Sequence, residues 1–197
     1  MISYPYFRKF LPLENGQKLL LRLVNYQDAD YLVRLARESR AKGGAFGGVG
    51  QEIDQLLKNL TAAIPLNYLK LLPLAAVDLE RHCFAGCGFL TRGGYPTPHV
   101  GEISLRVSRT YLGLKVEALL LRELIRLAIK DELAVLKARV PLEEDQALRS
   151  FKEQGFELEA ILRDFTSDRK KPDRKVLIML RPLLNKGGKG IVLTSLY

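Results

Sequence analysis

Apolar side chains recur along this chain with two alternating periods, and the switches between them mark out the elements. Near the start, the turn pair Asn15-Gly16 leads into an apolar, β-rich run over residues 19–24 that carries Arg22, and this predicts a strand. Asn25 then stands where a helix cap is needed. Asp28 and Asp30 fall in the first turn, and Tyr31, Leu32, Leu35 and Ala36 recur at helical spacing up to Arg40. A second helical stripe, Ile53, Leu56, Leu57 and Leu60, runs to about Ala63 and is closed by Pro65. Between the two helices, residues 42–50 hold five glycines and predict a loop crossing a cleft. The Lys-Ser/Thr ending of a P-loop is missing there, and no strand leads in.

From residue 72 the period shortens. Two strands over 74–78 and 83–91, joined by a polar turn at 79–81, predict a hairpin. Gly93-Gly94-Tyr95-Pro96 breaks the chain, and residues 100–107 then alternate, with Ile103, Leu105 and Val107 on one side and Glu102, Ser104 and Arg106 on the other. Residues 116–131 predict the strongest helix, with Val116, Leu120, Leu124, Leu127 and Ala128 inward and Arg122, Arg126 and Lys130 outward. A strand over 134–140 and a helix over 143–154 follow, the helix striped by Ala147, Leu148 and Phe151 and stopped by Gly155. Two last strands, 156–165 and 175–182, are joined through a charged turn at 167–174. The tail from residue 185 is open to three readings: frayed chain, added edge strand, or oligomer contact.

Composition narrows the class. At 197 residues, with 47% hydrophobic and 27% charged side chains, the chain reads as one globular domain over 1–197 with a core at about 15–183. Lys and Arg exceed Asp and Glu by 31 to 22, a net charge of +9 that favours anionic partners. The densest basic run, Arg169-Lys170-Lys171 with Arg174 and Lys175, is read as a solvated hairpin tip in preference to a nucleic-acid contact. Two cysteines, Cys83 and Cys87, lack the companions of a zinc set, so reduced thiols and no metal are expected. The first ten residues carry no apolar signal core and no run approaches ~18 apolar residues, so a cytoplasmic protein without a membrane span is expected.

Particular residues then suggest a family. The stretch from His99 through Glu102 to Val107, then Tyr111-Leu112-Gly113, then Leu120, Arg122, Glu123 and Leu124, resembles the strand, loop and helix of the GNAT superfamily of N-acetyltransferases. The run from Ala147 through Gly155 to Phe156 resembles that family's final helix and the strand after it, and 159–164 with 176–179 resembles its closing hairpin. The resemblance implies an α/β (α+β) fold: a mixed, mostly antiparallel twisted sheet of about seven strands flanked by about four helices. It implies acetyl-CoA or another acyl-CoA as cosubstrate, and a small-molecule or peptide primary amine as acceptor, attacking the thioester directly.

In the family, backbone amides and the positive end of a helix meet the CoA diphosphate. That role carries over to Val107, Leu112, Gly113, Leu114, Lys115, Val116, Glu117 and Ala118. The family pattern Arg/Gln-x-x-Gly-x-Gly/Ala falls on residues 112–117, where Leu112 replaces the polar residue and Lys115 and Glu117 replace the glycines. Lys115 adds a positive charge near the phosphates and Glu117 a carboxylate. Glu102 matches the glutamate some relatives use as general base. Phe151 occupies the position of the usual acid tyrosine, which leaves Tyr111 or water to give the proton. Two further readings stand beside this one: a non-catalytic regulatory or interaction module on the same fold, and a basic nucleic-acid-binding protein. A homodimer is compatible with each.

Overall fold

The computed structural model describes residues 7–13, 16–40, 49–62, 64–94, 96–163 and 175–183. Residues 42–48 of the glycine-rich loop, the charged turn at 167–174 and the tail therefore lie outside the described residues, while Val49 and Gly50, expected in that loop, open the second helix instead. The strands are β1 (Arg8–Pro12), β2 (Lys18–Leu23), β3 (Leu71–Asp78), β4 (Cys83–Arg92), β5 (Val100–Val107), β6 (Val135–Pro141), β7 (Glu157–Leu162) and β8 (Val176–Pro182). The helices are α1 (Ala29–Arg40), α2 (Val49–Thr61), α3 (Val116–Lys130) and α4 (Asp145–Glu153). All eight strands join one sheet in the order β1-β2-β3-β4-β5-β6-β8-β7. Every neighbouring pair is antiparallel except β5 and β6, which run parallel.

This is the mixed, mostly antiparallel sheet with four helices that the sequence implies, with one strand added. β1 extends the expected seven strands to eight. Its residues, Arg-Lys-Phe-Leu-Pro, alternate between exposed and half-buried along an edge, so they lack the apolar run that marks an inner strand.

The sheet separates two cores. One face packs Ile103, Leu105, Leu136 and Ala138 against Leu120, Leu124 and Ala128 of α3. The other packs Ala75, Val77, Cys87 and Phe89 against Leu32 and Leu35 of α1 and Ile53, Leu56 and Leu60 of α2. α3 lies close to the sheet because β4 offers no side chain beneath it: a Cβ on Gly88 would stand 2.7 Å from both Leu105 Cδ2 and Leu124 Cδ1. α4 ends at Glu153, and Gly155 takes the expected left-handed turn at φ +78°.

The entry to α1 is held by charge. Asn25 Oδ1 accepts from the Gln27 amide at 2.9 Å, and the Asn25 amide donates to Asp28 Oδ2 at 2.8 Å. Arg22, from β2, grips the same carboxylate with two nitrogens at 2.6 and 2.7 Å. Asp28, expected as an ordinary first-turn acid, is instead 1% exposed and joins strand to helix.

Candidate functional site

The parallel ladder is short. β5 and β6 are in register from Val100↔Val135 to Ile103↔Ala138 and then part, although β5 runs on to Val107 and β6 to Pro141. Each strand keeps its outer neighbour through the divergence: β5 stays on β4 to the Gly86↔Val107 pair, and β6 stays on β8 to Pro141↔Val176. The sheet thus opens as a V between residues 104–107 and 139–141.

Polar groups collect at its apex on the α2 face. Alternation along β5 turns Glu102, Ser104 and Arg106 to that face, opposite Thr91, Phe89 and Cys87 of β4. Glu102 Oε1 accepts from Arg139 Nε at 2.5 Å, and Oε2 lies 2.8 Å from Lys137 Nζ. Both carboxylate oxygens are therefore engaged by cations of β6. Ser104 is 2% exposed, and its Oγ has no hydrogen-bond partner among the described residues. The same holds for Thr91 Oγ1 and for Glu52 Oε2, both buried atoms.

Glu52 sits in the first turn of α2 and is half-buried. Its carboxyl is pushed up to about 7, chiefly by burial; its own backbone amide pulls it down, nearby Glu102 pushes it up, and Arg139 and Arg106 pull it down. The sequence reading missed this residue. The signal available was its place beside the stripe Ile53, Leu56, Leu60, where a carboxylate borders the buried face of an amphipathic helix.

Glu52 also faces a cavity of about 630 Å³, lined by Leu56, Asn59, Leu66, Lys70 and Thr91 among others. Its outer wall is the segment after α2, pinned at several points. Tyr26 donates to Ile64 O at 2.9 Å, Tyr68 to Val24 O at 2.9 Å, and Arg92 to Tyr68 O and Leu69 O at 2.7 and 2.9 Å.

At the far end of β5 the predicted diphosphate loop forms one helix entry. Lys115 is the N-cap of α3, left-handed at φ 57°, and makes no side-chain cap hydrogen bond, so its own side chain does not cover the amides that open the helix. The left-handed conformation explains why glycine suits that position in the family pattern. A Cβ on Gly113 would meet nothing within 4 Å, so space is open there. Lys115 and Leu112 are exposed, Val107, Leu114 and Ala118 half-buried, and Val116 buried. Glu117 is 6% exposed: Gln146 of α4 donates to its Oε1, while Oε2 has no partner among the described residues.

Tyr111 is not with this group. It is 1% exposed, and its hydroxyl donates to Asp78 Oδ2 at 2.5 Å, with Cys83 Sγ at 3.6 Å. Burial and the Asp78 carboxylate raise the phenol above its ordinary range. Asp78 ends β3, so Tyr111 braces the β3–β4 turn on the opposite side of β5 from β6. Phe151 is buried edge-on against Phe156, ring centroids 5.0 Å apart, and His99 is exposed. Cys87 is fully buried and its thiol pushed up by desolvation, which suits core packing better than nucleophilic attack. Among the described residues no cluster of His, Cys, Asp and Glu could hold a metal, and no helix is long and apolar enough to cross a membrane.

An eight-stranded sheet that opens beside its one parallel pair, with a helix entry at the open end, is the fold of the GNAT acetyltransferases, and solved structures agree. The chain is similar to the acetyltransferase of GNAT family from Streptococcus pneumoniae, at 19% identity and a TM-score of 0.67 over 84% of this chain and 99% of that one. It is similar to the ribosomal-protein-S5-alanine acetyltransferase from Vibrio fischeri, at 14% identity and 0.68 over 92% and 99%. Mycobacterium smegmatis RimJ in complex with CoA-disulfide superimposes with a TM-score of 0.71 at 16% identity, over 91% and 88%. No protein-family model matches the sequence, and no curated protein matches it.

Proposed function

We propose that the protein transfers an acyl group from acyl-CoA to a primary amine by direct attack. The observation that carries this is the parting of β5 from β6 after Ile103 and Ala138, with a buried polar cluster at the apex. Strand edges at 104–107 and 139–141 would receive the amide-bearing arm of CoA. The first-turn amides at Val116, Glu117 and Ala118, with the exposed Lys115 ammonium, would face its diphosphate. When bound, acyl-CoA supplies an activated thioester.

The chain's own groups do the rest. Ser104 Oγ, buried and without a partner among the described residues, is a hydroxyl ready to donate to an acyl oxygen. Glu102, engaged by Lys137 and Arg139, fixes those two cations at the apex, so the geometry favours it as a positioning residue over a free proton acceptor. Tyr111, committed to Asp78, supports the neighbouring turn. The similar ribosomal-protein-S5-alanine acetyltransferase lends weight to an amine acceptor, and the free thiols Cys83 and Cys87 suit a reducing cytoplasm.

One observation favours the second reading, a non-catalytic module on the same fold. Glu117 places a carboxylate at the helix end that should meet the diphosphate. Calorimetry decides between them. Acetyl-CoA should bind wild type, and Glu117→Ala should tighten binding about two- to fivefold by removing a like charge from the helix terminus. No heat at millimolar acetyl-CoA in either protein would leave the module as the reading to keep.

A further inference from the structure

Resting on the acyltransferase reading, we propose that Glu52 of α2 takes the proton from the acceptor amine, and that the acceptor enters through the cavity Glu52 faces, as a monoamine with an apolar body. Three independent features of the geometry lead there. Glu52 Oε2 is buried without a hydrogen-bond partner among the described residues, whereas both oxygens of Glu102 are held by cations. The carboxylate belongs at once to the apex and to the cavity: it lies in the field of Glu102 and Arg106 from β5 and Arg139 from β6, and it lines the space together with Thr91 of β4, the cross-strand partner of Glu102. The cavity wall is held in place by Tyr26, Tyr68 and Arg92, so the space is preformed.

The lining selects the acceptor. Leu56, Ile64, Leu66 and Pro73 are apolar, and of the described lining residues Glu52 is the one acid and Lys70 the one base. One carboxylate pairs one ammonium. A second ammonium on the same molecule would find no further counter-charge among the described lining residues and would meet Lys70, which disfavours polyamines. A volume of about 630 Å³ is ample for an aromatic or branched aliphatic amine.

The substrate enters as an ammonium, and the ionised Glu52 accepts one proton to give a neutral amine and a neutral carboxylic acid. The amine nitrogen forms its bond to the acyl carbon as the carbon–sulfur bond breaks, and the second nitrogen proton passes to the departing CoA thiolate. A carboxyl shifted to about 7 narrows the gap to the amine, and burial of the ammonium narrows it further.

The test uses the full chain and two readouts. Benzylamine and spermidine are titrated at pH 8 without cosubstrate into wild type, Glu52→Gln and the cavity-filling Asn59→Trp. We expect benzylamine to bind wild type at least tenfold more tightly than either variant, and more tightly than spermidine. Acetyl transfer to benzylamine should rise in kcat/KM with slope one through an apparent pKa near 7. Glu52→Gln should lose that limb and about 100-fold in rate, and Glu102→Gln should keep the limb. Equal benzylamine affinity in wild type and Glu52→Gln, a preference for spermidine, or a pH limb that survives Glu52→Gln would overturn the inference. Absence of acetyl-CoA binding overturns the transferase reading alone, because the amine titrations need no cosubstrate.

Discussion

Two side chains at the site sit in conformations or environments that cost stability, and both lie where the proposed ligands would meet the chain. Lys115 holds a left-handed backbone at roughly 1 kcal/mol expense, at the helix entry assigned to the diphosphate. Glu52 is the larger case. Its carboxyl ionises near 7 in the folded protein against an ordinary 4.5, so between those values the folded chain keeps a proton that the unfolded chain has lost. Stability therefore falls as pH rises through that window and stays lowered above it. Replacing the carboxyl with an amide removes the penalty: Glu52→Gln should gain up to about 3 kcal/mol in urea unfolding at pH 8 and almost nothing at pH 4. An unchanged or lower stability at pH 8 would show that the carboxylate is well solvated. Some of this was readable in advance. Alternation along residues 100–107 puts Glu102, Ser104 and Arg106 on one face, as found. That Lys137 and Arg139 reach Glu102 depends on which strand lies beside β5, which local pattern does not encode.

Among the elements, those with strong periodicity matched the structure closely, and those set by tertiary contacts did not. The strand at 100–107 and the helix beginning at 116 coincide with β5 and α3, because each carries a full apolar face against a core. The helix expected over 143–154 is shorter as α4, and β1 has no apolar run to announce it. Asn25 was legible as a cap, but Asp28 was not legible as the joint between β2 and α1, since Arg22 approaches it only in the folded chain. That joint should be costly to break. Asp28→Ala leaves the Arg22 guanidinium without its buried partner and should cost about 3 kcal/mol. Thermal unfolding should then fall by roughly 6–12 °C. A shift below about 2 °C would mean that water replaces the carboxylate without penalty.

At the scale of the whole molecule, the fold turns one choice of topology into a site. A single parallel pair within an otherwise antiparallel sheet brings the carboxyl ends of β5 and β6 to the same side, where they diverge and α3 begins. The helix entry at 112–118 beside these strand ends was expected from the family layout. The cavity beside α2 was not, because its walls are brought together by long-range bonds such as Tyr68 to Val24 and Arg92 to Leu69. A net charge of +9 suits the anionic cosubstrate proposed for the open end. Whether that end receives acyl-CoA can be read directly by amide hydrogen exchange with and without saturating acetyl-CoA. The account predicts slowed exchange in peptides spanning 104–107, 116–118 and 139–141, with β1 and β2 unchanged. Exchange that is the same with and without ligand in all three segments would contradict it.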